Sequence, residues 1–393
     1  MDGHMFGNDS IGDMLNESKT ENTTSSPAKE DSSSVYYEDI NVMLWKIVPP
    51  ILIIFGTTGN TLTILVNLRM KKITSTSLYL ITLAISDTTI LLCGPLRNWI
   101  TYMWGKDIRK LSDGACRTQL YLTYASVHFS SWLLVAVTIE RTISVVIPHK
   151  VKLSCTRKNA GITILAIFVF TFGVDAVIPV IQGLEGFGNK ACAPTTAAYL
   201  KFRDDVWQWI DLCMAFAVPF FFLVTGNSIM IVTLCNSRRK RIAMSEFSIP
   251  GGNTTSRKDI SIYVLMIALC CIFLLTMTPV VVYQIYSPYR LEELRALKKI
   301  DPVRAWEEYY LFLLQHTIVN LVTYVNAAMN FVLYVFTGTK FRTELTRLFC
   351  CNRTNGRVYM AGKTPKKTSE EIKTKTTSVS TTSSSKECMS KLI

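Results

Sequence analysis

Two chemically distinctive groups bracket one long apolar stretch that runs from Cys116 to Pro148. The stretch begins with a thiol, which can be oxidised to a disulfide, and ends near the acid-base pair Glu140-Arg141. Twenty-five residues separate Cys116 from Arg141, which corresponds to roughly 37 Å of α-helix, enough to cross a bilayer with some tilt. The spacing therefore predicts that the thiol and the guanidinium face opposite sides of a membrane.

A second set of polar residues lies inside apolar stretches, where a lone carboxylate or amide is costly unless it faces protein or water. Their oxygen atoms suit a small cation such as sodium. We predict one hydrated interior site, with a polar network that only fixes helix packing as the alternative. The residues of this set are Asp87, Ser130, Asn326 and Asn330.

The elements that must position these groups are seven long apolar runs in a chain of 393 residues, 49% hydrophobic and 18% charged. Each run supplies the roughly 20 apolar residues that a spanning helix needs. A buried helix of a soluble protein explains any one run but not all seven. We predict an all-α membrane protein, a seven-transmembrane helix bundle, with spans at about 43–68, 76–102, 114–147, 159–182, 206–235, 260–287 and 309–336.

Basic residues orient these spans, because Lys and Arg in short loops resist translocation. They follow the first, third, fifth and seventh runs, so these loops are predicted to be cytoplasmic and the N-terminus extracellular. The net charge of +13 is then mostly a topology signal, and a nucleic-acid partner is disfavoured because no basic segment is interleaved with stacking aromatics.

Among eleven cysteines, Cys116 and Cys192 fall in predicted outer regions. Two thiols in an oxidising compartment are expected to form a disulfide, with two unpaired thiols as the alternative. Cys350 and Cys351 follow the last run beside Phe349. Palmitoylation on the inner leaflet is predicted there, and free thiols are the alternative.

The segments outside the bundle are polar. Residues 1–42 are predicted to form a disordered extracellular tail, in which Asn8, Asn16 and Asn22 begin glycosylation sequons. Residues 337–351 place apolar and basic residues on opposite faces, which predicts a short amphipathic helix on the inner membrane surface. Residues 352–393 are predicted to be a disordered cytoplasmic tail with several phosphorylation sites.

These features together resemble the rhodopsin-like (class A) G-protein-coupled receptors over residues 45–350. The matching motifs are Gly59-Asn60, Leu83-Ala84-Ile85-Ser86-Asp87, Trp104-Gly105, Cys116, Glu140-Arg141-Thr142, Phe216 with Pro219, Phe273 with Pro279, and Asn330-Phe331-Val332-Leu333-Tyr334. The resemblance implies a plasma-membrane receptor with a Cys116–Cys192 bridge, a sodium pocket around Asp87 and a heterotrimeric G protein as partner. It also implies arrestin and receptor kinases at the C-terminal tail.

Physical reasoning adds a switch at the cytoplasmic end. Glu140 neutralises Arg141 at the membrane edge, and Asp259 at the inner start of the sixth run offers a second carboxylate. Breaking the Arg141–Asp259 pair lets the sixth helix swing outward about Pro279, whereas the alternative is that both charges reach water. The predicted switch residues are Glu140, Arg141, Asp259, Phe273, Met277, Pro279 and Tyr334.

Several positions depart from the family pattern. Thr142, Met277 and Phe331 replace the usual tyrosine, tryptophan and proline, and Asn227 stands where many members have tyrosine. The combination of Asn227 with the altered seventh-run motif is most similar to invertebrate neuropeptide receptors of the FMRFamide-receptor-like kind.

The ligand is approached first by exclusion. No acid lies between Cys116 and Ile139, which disfavours an amine ligand, and the seventh run has no lysine for a retinal Schiff base. The outer halves carry donors and both charges, which favours a short peptide over a non-peptide small molecule. The predicted ligand contacts are Arg97, Tyr102, Thr123, Tyr124, Asp211, Gln284, Gln315, His316 and Asn320.

Two other classes of function are weaker. A transporter would use Asp87 and Asp175 as pathway residues, but the seven runs show no internal repeat. An enzyme is disfavoured, since the four histidines are scattered and no nucleophile is spaced with a base. No cofactor is expected besides a structural sodium ion.

Overall fold

The computed structural model describes residues 32–70, 72–150, 155–184, 191–245, 255–337 and 339–350. Within them, seven helical spans are long and apolar enough to cross a membrane, which confirms the predicted all-α bundle: Val35–Arg69, Ser75–Trp104, Asp113–Val146, Arg157–Ile181, Ala197–Ser237, Ile267–Ile300 and Pro302–Phe336. They are called the first to seventh spans below. The predicted modification sites Asn8, Asn16, Asn22 and Cys351, and the side chains of Asp259 and Cys350, lie outside the described residues.

Several spans consist of more than one helix. The helices are Ser32–Arg69, Ser75–Cys93, Pro95–Trp104, Asp113–Val146, Arg157–Asp175, Ile178–Ile181, Ala197–Phe202, Gln208–Leu212, Val218–Ser245, Thr255–Ile300, Pro302–Thr337 and Thr339–Cys350. Short 3-10 turns cover Ile108–Lys110 and Pro148–Lys150. Two π-helical segments, Arg203–Trp207 and Cys213–Ala217, interrupt the fifth span. Strand β1 (Gln182–Gly183) pairs antiparallel with β2 (Ala193–Pro194) in the loop before that span. This loop is on the side of the bundle that the basic residues predict to be extracellular, which is called the outer side below, and the opposite side is called the inner side.

Local capping explains where several spans begin and end. The hydroxyls of Thr74, Ser112 and Thr156 accept hydrogen bonds from backbone N–H groups three residues later, at 3.1–3.2 Å. Each satisfies a donor that the first helical turn leaves unpaired. The second span ends at Gly105, whose positive φ of 66° suits glycine at a helix C-terminus.

The predicted boundaries need two corrections outside the membrane. The first helix begins at Ser32, eleven residues before the predicted start of the bundle at residue 43. The sixth helix continues to Ile300, well past residue 287, where the predicted sixth span ends. The extension is stabilised because Arg290 bridges Glu293 and Glu308, and Asp301 caps the next helix by accepting from the N–H of Arg304 at 3.1 Å.

The third span is the centre of the bundle. In its most apolar stretch of 18 residues, 78% of the stretch is buried inside the bundle, against 22% in the corresponding stretches of the first and fourth spans. It packs against the second, fourth and fifth spans. Since one helix contacts most of the others, polar residues placed along it can each join a different neighbour.

Two departures from the family pattern fit glycines on neighbouring spans. Thr142 donates to the carbonyl of Thr138 at 2.8 Å and to that of Gly226, in the fifth span, at 3.3 Å. A Cβ at Gly226 would lie 2.7 Å from Cγ2 of Thr138, so glycine permits this close approach. Likewise, a Cβ at Gly59 would lie 2.7 Å from Cβ of Phe331, which shows that Phe331 packs directly against the first span.

We expect Gly226→Ala to destabilise the protein by about 1–3 kcal/mol, because an added methyl group in a well-packed contact forces the helices apart. Thr138→Ser removes the methyl group that the new Cβ would meet and keeps the hydroxyl. The double variant should therefore recover most of the loss in thermal unfolding of the purified protein in detergent. Additive effects of the two substitutions would contradict the close contact.

Candidate ligand and switch sites

The outer end of the third span is fixed to the loop above it. Cys116 and Cys192 form a disulfide, as predicted. Asp113 accepts the N–H of Leu184 at 3.0 Å, and Arg117 donates to Asp113 and to the carbonyl of Pro179. These contacts hold the β1–β2 pair against the outer end of the third span.

A buried histidine joins three spans below this loop. His128 Nδ1 lies 2.9 Å from both carboxyl oxygens of Asp175, in the fourth span. Its Nε2 lies 3.0 Å from Oδ1 of Asp211, in the fifth span. All three side chains are at most 1% exposed. We call these three residues the His128 cluster.

The number of protons in the His128 cluster determines its net charge. Each ring nitrogen faces a carboxylate, and each such contact needs one proton between nitrogen and oxygen. Either a histidinium lies between two carboxylates or a neutral ring lies beside one carboxylic acid, and both arrangements carry one net negative charge. Removing one partner from a buried charged cluster typically costs about 3–5 kcal/mol. The cluster therefore constrains how the third, fourth and fifth spans can separate.

The cluster reaches a fourth span through Gln284, whose Nε2 donates to Oδ2 of Asp211 at 3.2 Å. Asp211 and Gln284 were both predicted to line the ligand cavity, and the structure brings them into contact with each other. Asp211 is sealed at 1% exposure, whereas Gln284 is half-buried. The predicted cavity residue Gln284 thus lies at the accessible edge of a buried charged network.

The sequence did not indicate that His128 pairs with Asp175. The available signal was that three ionisable side chains occur inside spans, where each needs a partner. Spacing along the chain did not show which faces of the helices meet. The π-helical segments on both sides of Asp211 shift that face further from a regular helical count.

The other predicted ligand contacts fall into different environments. Tyr102 stacks on Trp45 with centroids 5.8 Å apart and accepts from Nδ2 of Asn41 at 3.3 Å. Trp45 in turn donates to Thr317 at 2.8 Å, and Thr317 donates to Asn41. Tyr102 therefore belongs to a polar and aromatic network that joins the first, second and seventh spans.

The remaining predicted contacts lie on the third and seventh spans. Thr123 is buried and donates to the carbonyl of Gln119 at 2.8 Å, and Tyr124 packs edge-on against Trp207. In the seventh span Gln315 is exposed and His316 is half-buried, with its ring centroid 5.8 Å from that of Tyr283. Asn320 is buried and donates to the carbonyl of His316 at 2.8 Å.

Deeper in the bundle, Asp87 accepts from the hydroxyl of Ser130 at 2.8 Å and from Nδ2 of Asn330 at 2.5 Å. Three of the four predicted sodium-site residues therefore meet, and Asn326 is half-buried on the same span as Asn330. The carboxylate and hydroxyl oxygens fit a sodium ion. Asn330 presents its N–H₂ group and would add an oxygen ligand only with its amide turned over.

At the inner end, Glu140 lies between the second and third spans. It accepts hydrogen bonds from the hydroxyls of Ser75 and Thr76 at 2.9 and 3.2 Å. Nη2 of Arg141 lies 3.6 Å from the same carboxylate. The predicted Glu140–Arg141 pair is therefore present, and its carboxylate also anchors the start of the second span.

The remaining predicted switch residues lie in the sixth and seventh spans. Phe273 and Met277 are buried in the core, and Phe273 stacks on Phe216 of the fifth span with centroids 6.3 Å apart. Pro279 lies inside the sixth helix. Tyr334 is buried, with its ring centroid 5.8 Å from that of Phe341 in the surface helix.

A charged cluster closes the turn between the second and third spans. Arg109 donates to Asp107 at 2.6 Å, and Arg97 lies 3.9 Å from the same carboxylate. Burial raises the pKa of Asp107, but the hydrogen bonds from Arg109 and the charge of Arg97 outweigh it and lower that pKa to about 2. Arg97, a predicted cavity residue, is thus buried against this outer turn.

Seven spans, an outer disulfide at the third span and an acid-arginine pair at its inner end define a seven-transmembrane receptor. A family model described as "7 transmembrane receptor (rhodopsin family)" matches residues 59–334. The chain belongs to this family, so it is a class A receptor and not an enzyme or a transporter.

Individual relatives are distant. The growth hormone secretagogue receptor type 1 of Homo sapiens is 24% identical over 307 residues, covering 76% of this chain and 78% of that receptor. Cysteinyl leukotriene receptor 1 of Sus scrofa is 25% identical, covering 56% and 66%. Lysophosphatidic acid receptor 6 of Homo sapiens is 23% identical, covering 61% and 69%. Their names specify three different ligands, so the similarity supports the receptor class and not one ligand class.

We expect Asp107→Asn to lower stability by about 2 kcal/mol at pH 7, since a carboxyl pKa lowered from 3.8 to about 2 reflects that much preference for the charged form. This stability is fully present above the unfolded pKa and is lost as the pH falls towards 2. The difference from wild type should therefore be constant between pH 8 and pH 5 in thermal unfolding.

Asp204→Asn is the matched control. Its side chain is 51% exposed and pairs with Arg203 at 2.7 Å, and exposed pairs contribute at most about 1 kcal/mol. A stability difference for Asp107→Asn that closes between pH 7 and pH 5, or that is no larger than the control, would contradict the assigned charge cluster.

Proposed function

We propose that the chain is a plasma-membrane receptor, with its N-terminus outside, that binds an extracellular neuropeptide and activates a heterotrimeric G protein. Binding shifts a population: the peptide must have higher affinity for the open form than for the closed form. Opening consists of outward movement of the inner part of the sixth span about Pro279. Arg141 then leaves its carboxylate partners, which in this proposal include Asp259.

The observation that carries the peptide proposal is the polar character of the outer half of the bundle. Gln284, Gln315 and His316 lie at accessible or half-buried positions on the sixth and seventh spans. They can donate and accept hydrogen bonds with peptide amides. Between Cys116 and Ile139 the third span offers hydroxyl groups and no carboxylate to anchor a single amine.

A non-peptide ligand is the second candidate. Relatives are named for a cysteinyl leukotriene and a lysophosphatidic acid. Arg97, in the outer part of the second span, would supply a cation for an anionic group of such a ligand after separating from Asp107, beside which it is buried.

The chain outside the bundle fits a regulated receptor. We propose that residues 1–42 are glycosylated at Asn8, Asn16 and Asn22, and that Cys350 and Cys351 carry palmitoyl groups beside the amphipathic surface helix Thr339–Cys350. The Ser- and Thr-rich cytoplasmic tail would then be the substrate of receptor kinases and the docking segment for arrestin.

We further propose that sodium binds at Asp87 and Ser130 in the closed form. Binding to the closed form alone lowers the open-to-closed ratio about twofold when the sodium concentration equals Kd. Replacing potassium by sodium at constant ionic strength should therefore reduce basal nucleotide exchange on an added G protein. Asp87→Asn removes the carboxylate charge and should abolish the difference; an equal sodium effect in this variant would contradict the site.

For the peptide, we expect cells expressing the full chain to give a second-messenger response to one or more amidated neuropeptides. Biogenic amines should give none, because the third span has no carboxylate between Cys116 and Ile139. Arg141→Gln should retain surface binding of an active peptide and lose most of the response. A response to amines or to an anionic lipid, with none to peptides, would reject the neuropeptide assignment and favour the second candidate.

A further inference from the structure

The hydrogen bond from Gln284 to Asp211 can break while the His128 cluster stays in place. Its Asp211 side is immobilised, because His128 holds one carboxyl oxygen at 3.0 Å and is itself held by Asp175. Its Gln284 side donates a single described side-chain hydrogen bond to Asp211, at 3.2 Å, and is half-buried. A group entering from outside can therefore reach Gln284 without opening the sealed cluster.

The backbone around Asp211 is also unusual. Two π-helical segments, Arg203–Trp207 and Cys213–Ala217, flank the short helix that carries it. π-helical turns are rare and are frequently found at functional sites. Here they flank the residue whose carboxylate joins the fifth span to the third and the sixth.

Gln284 lies five residues outward of Pro279, or about 7–8 Å along the helix. Proline at this position weakens the helix where the outer and inner limbs of the sixth span meet. Because the two limbs still form one continuous helix, Thr255–Ile300, a bond that fixes the outer limb against the fifth span also resists rotation of the inner limb. One hydrogen bond to a charged acceptor is enough to shift such a two-state equilibrium about tenfold.

We propose that the hydrogen bond from Gln284 to Asp211 is a latch that holds the receptor closed, and that His128 and Asp175 are positioning residues that present Asp211 to it. A ligand opens the receptor by engaging Gln284 with its own amide or carboxylate groups and withdrawing it from Asp211. This inference rests on the proposed movement of the sixth span.

The test uses the full-length receptor, without a ligand, and two readouts. One is basal nucleotide exchange on a purified G protein, and the other is deuterium uptake of backbone amides in residues 267–279, the inner limb of the sixth span. Gln284→Leu removes the latch and leaves the His128 cluster intact. The matched control is Thr278→Val on the same helix, where the exposed hydroxyl bonds only to the carbonyl of Leu274 within its own helix.

Gln284→Leu is expected to raise the open-to-closed ratio roughly tenfold, seen as higher basal exchange and faster uptake, while Thr278→Val changes neither. If Gln284→Leu unfolds at the same temperature as the control and neither readout moves, the latch is overturned. Faster uptake without nucleotide exchange would support the latch and count against the proposed G-protein coupling, so the two failures are distinguishable.

A second pair of variants tests the positioning role. Asp211→Leu loses both hydrogen bonds, whereas the amide of Asp211→Asn can still donate to a neutral His128 and accept from Gln284. Deuterium uptake should therefore rise less in Asp211→Asn than in Asp211→Leu. Equal rises at equal unfolding temperatures would show that the hydrogen bonds do not hold the sixth span, and would overturn the role assigned to His128.

Discussion

Polar groups that lie inside a hydrocarbon layer must find partners within the protein, and this constraint organises the bundle. Many hydroxyls meet it locally: Thr57, Thr82 and Thr88 each donate to a carbonyl four residues earlier in their own helix. Carboxylates and rings cannot do so, and they pair across helices instead. Asp87 joins the second, third and seventh spans, and the His128 cluster joins the third, fourth and fifth.

These cross-helix pairs determine which faces of two helices meet. Apolar packing alone specifies those faces less strictly. Leu and Val side chains can repack with small losses when a helix rotates. A buried carboxylate that loses its partner cannot repack in this way, because its charge is left without a compensating group. The polar contacts therefore define which rotations of a span are permitted, and hinges such as Pro279 act only within those limits.

The sequence predicted the features that depend on local patterns. Seven apolar runs predicted the spans. The disulfide was predicted because Cys116 and Cys192 both fall in regions expected to face an oxidising compartment. Asp87, Ser130 and Asn330 were grouped correctly because polar residues of the second, third and seventh runs needed a shared interior. Residues 291–295 predict only a short helix in a loop of mixed charge, whereas the sixth helix continues to Ile300, because Arg290 pairs with Glu293 and Glu308. The pairing of Asp211 with His128 was missed because it depends on helix rotation around π-helical segments.

The third span can hold several such contacts because it is surrounded by other spans. Along it, Cys116 bonds to the outer loop, His128 to the fourth and fifth spans, Ser130 to Asp87, and Thr142 to the fifth span again. A helix tied at these levels cannot tilt without breaking several of them together. The sixth span is joined to this network through the half-buried Gln284, and it bonds to the third and seventh spans through Cys270 and Tyr283. Under the proposed mechanism, release of Gln284 from Asp211 leaves the charged contacts of the third span intact.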